Sequence, residues 1–124
     1  MPAWEALVLT WEQLSVLPLR WKASLKEWRC IYYIFDTADG KGYVGSAYGD
    51  DPEIGDDKNL LGRWENYAAL GHGGNKLLIG RKPEGFRFSI LQRVSPDMPP
   101  ADVIRLEGTW KDRLHTRQYG LNEN

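Results

Sequence analysis

The chain has 124 residues and a mass of 14.2 kDa, which suits one core and leaves no room for a second full domain. Hydrophobic residues make up 42%, aromatic residues 12% and charged residues 27%, values that exclude a disordered tail or a fibre. With 16 basic against 17 acidic residues, a net charge of -1 and a pI near 6.1, adhesion to nucleic acid by bulk charge is excluded, so any nucleic-acid site has to be a local patch.

Residues 1–29 hold four of the six tryptophans, Trp4, Trp11, Trp21 and Trp28, interleaved with leucines and with Arg20, Lys22, Lys26 and Arg29. Thr10 followed by Gln13 resembles a capping box opening a short helix that Pro18 cannot continue. This segment reads as a Trp-rich helical arm that packs onto a core or onto a partner. It carries no basic n-region, and its longest apolar run, Ala6 to Leu9, is too short for a signal peptide or a membrane span. The expectation is a soluble cytoplasmic protein without a membrane partner.

From Cys30 onward the run Ile31-Tyr32-Tyr33-Ile34-Phe35 is β-branched and aromatic, ends at Asp39-Gly40-Lys41-Gly42, and is followed by Tyr43-Val44-Gly45. That pattern predicts a hairpin. Its first strand is apolar at both parities, as a strand covered on both faces is. Asp50, Asp51, Glu53, Asp56 and Asp57 mark an acidic loop. Leu60 to Leu70 reads as a helix with Leu60, Leu61, Trp64 and Ala68 on one face, closed by Gly71-His72-Gly73-Gly74, and a short helix from Asn75 to Ile79 follows. Phe86 to Val94 predicts a third strand, and Pro99-Pro100 opens a helix from about Ala101 to His115. The predicted fold is α+β: a small three-stranded antiparallel sheet flanked by helices over residues 30–124, preceded by the arm at 1–29.

Cys30 has no cysteine to pair with, and with only His72 and His115 the chain lacks the ligands of a structural zinc site. A nucleophilic Cys30 would need a nearby histidine, and no local signature places one. On the last helix, Val103, Trp110 and Leu114 point the same way at 100° per residue, and Glu107 falls within that stripe. Such a carboxylate either snorkels or pairs with a cation at the stripe's edge, or serves as a metal ligand in an apolar frame. Arg63 and Tyr67, four residues apart, share one helix edge. Lys76, Arg81 and Lys82, with Arg87 nearby, form the most basic local stretch and are candidates for backbone contacts to DNA or for solvated surface.

The ordered set Cys30-Ile31-Tyr32, Tyr43-Val44-Gly45, Gly62-Arg63 with Tyr67, Glu107 and Asn122 resembles the GIY-YIG nuclease superfamily over about residues 30 to 122. Cys30 stands where that family usually has glycine, and Val44 replaces its central isoleucine. The resemblance implies a DNA endonuclease that hydrolyses phosphodiester bonds to 5′-phosphate and 3′-hydroxyl ends with one Mg²⁺ or Mn²⁺. In it Glu107 is the metal ligand, Tyr32 takes the proton of the attacking water and Tyr43 supports it. Arg63 neutralises the scissile phosphate, Tyr67 holds its leaving side and Asn122 fixes the geometry. Lys41 is a nearby cation that stabilises a phenolate and, with Lys76, Arg81, Lys82 and Arg87, a candidate DNA contact. Because a phenol ionises near pH 10, the activity is expected to rise toward alkaline pH. The rival reading is a decayed nuclease that binds DNA or protein without cutting; a further one makes the arm a homodimer or partner contact.

Overall fold

A computed structural model describes residues 1–48, 59–70 and 75–124. The acidic loop at 50–57 and the Gly71-His72-Gly73-Gly74 turn lie outside the described residues. Among those described, four strands and five α-helices follow in the order β1 (Val8–Thr10), α1 (Trp11–Ser15), α2 (Leu19–Glu27), β2 (Arg29–Asp36), β3 (Lys41–Tyr48), α3 (Leu60–Leu70), β4 (Phe86–Arg93), α4 (Pro100–Leu114) and α5 (Thr116–Tyr119). The strands form one antiparallel sheet in the order β1-β4-β2-β3.

The sheet therefore has four strands where three were predicted. The extra one comes from the N-terminal segment: Val8, Leu9 and Thr10 pair with Ser89, Phe88 and Arg87 on the edge of β4. Three residues carry too short an alternation to declare a strand, and their extended conformation depends on an edge contributed far along the chain. The capping box is present, with the Gln13 backbone N–H donating to Thr10 Oγ1 and the Thr10 N–H donating to Gln13 Oε1. Leu7, Leu9, Leu14, Leu17 and Leu25 from this segment are buried in the main core.

Strand β2 lies between β3 and β4, and its near-continuous apolar run has the predicted cause: both of its faces are covered. Cys30, Tyr32 and Ile34 face the larger core with Trp64, Phe86 and Phe88. Ile31 joins a smaller cluster with Val44, Val94 and Val103, against which Tyr33, Leu106 and Trp110 of the opposite face pack. Asn59 caps α3, its Oδ1 accepting from the Gly62 N–H at 2.7 Å. The segment predicted as a helix from Asn75 to Ile79 is a 3₁₀ turn at Lys76–Leu78, with Asn75 Oδ1 accepting from the Leu77 N–H. Helix α4 stops at Leu114 because His115 adopts a left-handed conformation, φ 57°. The chain then reverses through α5 and returns to β3, where the Leu121 N–H donates to Gly42 O at 2.8 Å. Among the described residues no helix is long and apolar enough to cross a membrane.

Candidate active site

The hairpin register sets the first two side chains. Tyr32 pairs with Gly45 and Ile34 with Tyr43, so Tyr32 and Tyr43 emerge on the same face as diagonal neighbours. Their ring centroids are 6.3 Å apart. Gly45 is required by this packing, since a Cβ there would lie 2.4 Å from the Tyr32 ring and hydroxyl. Helix α3 lies over that face, with Trp64 edge-on to Tyr32 and against Phe88. This seating brings Tyr67 to 5.5 Å from the Tyr43 ring. The hydroxyl of Tyr67 shares hydrogen bonds with those of both Tyr32 and Tyr43.

Tyr43, Arg63, Tyr67, Asn75, Lys111 and Asn122 line one polar cleft of about 230 Å³, together with the chain's last two residues. Tyr32 lies behind this wall, 1% exposed. Its phenol is pushed well above the ordinary value of 10.0, chiefly by burial, then by Tyr67 and Tyr43, with Arg63 acting the other way. Tyr67 is raised by burial and by Tyr43. The guanidinium of Arg63 brings charge to this row, and its buried Nε has no hydrogen-bond partner among the described residues.

Asn122 is buried at 3% exposure and both ends of its amide bond the same strand residue. Its Oδ1 accepts from the Val44 N–H at 2.9 Å and its Nδ2 donates to Val44 O at 3.0 Å. The side chain thus imitates a neighbouring strand on the free edge of β3 and pins the C-terminal tail beside the cleft. Asn75 reaches the same tail, donating from Nδ2 to Leu121 O at 3.0 Å.

Glu107 is not in the cleft wall. Its carboxylate, 18% exposed, contacts the cleft through Lys111, whose Nζ lies 2.8 Å from Glu107 Oε2. Lys111 escaped notice in the sequence, although its place four residues after Glu107 on one helix was a readable signal. Among the described residues there is no group of three or more histidine, cysteine or acidic side chains. A single hard carboxylate suits Mg²⁺ or Mn²⁺, ions that keep most of their waters, and not a protein-caged Zn²⁺ or Ca²⁺, but such an ion would have to displace the Lys111 ammonium from Glu107 Oε2.

The remaining basic residues divide into two groups. Lys41 is exposed two residues before Tyr43 on the same strand face, and Lys76 is exposed next to Asn75. Arg81 instead closes the turn end of the hairpin, where Asp36 pairs with Lys41, bound to Asp36 Oδ2 and Asp39 Oδ1 at 2.9 Å each. Lys82 beside it is exposed, and half-buried Arg87 donates to Phe86 O. Cys30 is buried, its thiol pushed up to about 12 by burial, so it is protonated and inert.

Comparisons of the chain with family models, with curated proteins and with solved structures find no match.

Proposed function

We propose that this is a cytoplasmic, divalent-metal-dependent nuclease of GIY-YIG type, with that superfamily's fold, which hydrolyses phosphodiester bonds in DNA. The observation that carries the reading is the convergence of Tyr43, Arg63, Tyr67 and Asn122 on one polar cleft, with Tyr32 directly behind. These residues come from four separate parts of the chain, and packing alone does not call for an arginine and three phenols at one spot.

Glu107 would hold the metal ion, which when bound supplies charge neutralisation and an acidified water. Arg63 neutralises charge growing on the scissile phosphate. Tyr43 and Tyr67 meet the substrate, and their hydroxyls connect the cleft to Tyr32, so in the fraction of molecules with Tyr32 ionised its phenolate would accept, through the phenol row, the proton taken from the attacking water. Asn122 positions the edge of β3 and touches no substrate. Lys41 and Lys76, both exposed, would contact flanking phosphates, while Arg81 is committed to two carboxylates.

Cleavage of labelled single-stranded, duplex and branched DNA with Mg²⁺ or Mn²⁺ tests the reading. Glu107→Ala and Tyr32→Phe are each expected to lose on the order of 100-fold or more in rate while remaining folded. Because burial holds the phenols protonated, the active ionised fraction grows with pH. The wild-type rate should therefore climb from about pH 6 to about pH 9; a flat profile removes Tyr32 as the base. A second reading, DNA binding without cutting, is favoured by the Lys111 ammonium on Glu107. Binding without cleavage under either metal would select it.

A further inference from the structure

We infer that Lys111 is a phosphate-binding residue of the cleft, acting beside Arg63 as the second prong of an anion subsite for a DNA strand. The inference rests on the reading of this cleft as a phosphodiester site. Lys111 belongs to α4 and Arg63 to α3, yet both line the same cavity. Two helices that meet the sheet separately thus deliver one cation each to a space of about 230 Å³, large enough for a phosphodiester group, against the one acidic side chain of its lining, Glu123.

The burial of Lys111 is the second observation. Its side chain is only 12% exposed, whereas a lysine without a task keeps its ammonium in water. Its carboxylate partner, Glu107, is itself 18% exposed and sits on the same helix. An i,i+4 pair on a helix surface is a weak interaction, so pairing alone does not explain an ammonium drawn into a cleft. Glu107 instead holds the ammonium at the cavity wall, in the orientation at which an entering phosphate oxygen meets it.

The contrast with Arg81 sharpens the assignment. Arg81 faces two carboxylates at 2.9 Å and its charge is used up within the fold. Lys111 faces one, and the neighbouring guanidinium of Arg63 has a buried Nε without a partner. A phosphodiester carries one negative charge shared by two non-bridging oxygens, and two cations lining one cavity match that pair of oxygens.

Binding of a short fluorescein-labelled oligothymidylate, measured by anisotropy in EDTA over a range of salt, tests the inference without any cleavage. Lys111→Met is expected to weaken binding roughly tenfold and to lower the slope of log affinity against log salt by about one. Lys111→Arg restores both. Glu107→Gln, which frees the ammonium from its carboxylate, is expected to bind several-fold tighter than wild type, and the gain disappears in the Glu107→Gln, Lys111→Met double variant. Circular dichroism checks that each variant is folded, and Lys111→Gln, which still donates to Glu107, replaces the methionine variant if that one unfolds. Affinity and salt slope unchanged on loss of Lys111, or no oligothymidylate binding by wild type at low salt, overturns the inference. Binding that depends on Lys111 in a protein that never cleaves supports it and refutes the nuclease reading alone.

Discussion

A methyl group on Gly45 would collide at 2.4 Å with a tyrosine ring that is almost wholly buried. Tyr32 cannot swing away, because Trp64 stands edge-on against it. Gly45→Ala is therefore expected to cost about 1–3 kcal/mol in urea denaturation and to reduce cleavage by disturbing the hydroxyls of Tyr32, Tyr67 and Tyr43. Asn122→Ala acts differently, since it removes both partners of the Val44 peptide. Leaving those groups unpaired on the edge of β3 costs about 1–3 kcal/mol, read as a lower melting temperature, and loosens the tail that borders the cleft. Both residues were legible as members of an ordered motif. Their physical reasons were not, because each depends on a partner in another element.

The junction between α4 and α5 turns on His115, which holds φ at 57°. A left-handed conformation strains a residue with a Cβ and costs glycine nothing. His115→Gly is expected to stabilise the protein by up to about 1 kcal/mol in the same denaturation measurement, with cleavage unchanged. The predicted end of the helix fell one residue beyond the observed one, and no residue type in the sequence announced the reversal. Strand β1 was missed for a related reason. The cap that starts α1 is a local device and was readable at Thr10 and Gln13, whereas β1 exists through its register with Ser89, Phe88 and Arg87. Helix α3 and the β2–β3 hairpin needed no such help, since apolar spacing, cap and turn residues all agree over them.

Three acidic protons are buried within one core, on Cys30, Tyr32 and Tyr67. Burial is the largest cause of each upward displacement. A raised value means that the fold keeps its proton where the unfolded chain has lost it, so the stabilisation is complete below the unfolded value and falls as pH rises above it. For Cys30 the fall begins near 9.0 and ends near 12, and for the tyrosines it begins near 10.0. Stability measured by urea denaturation should therefore decline steadily above about pH 9, and Cys30→Ala and Tyr32→Phe should each flatten the decline. The periodicities, caps and turn signals along the chain established the α+β class, the doubly covered central strand and the order of the motif residues, because each of these is a short-range property of neighbouring side chains. The fourth strand, the reversal at His115, the shared hydrogen bonds of three phenols and the arrival of Lys111 beside Arg63 arise where distant segments meet. Pairing and docking energies act between such segments and leave no local pattern from which they could be read.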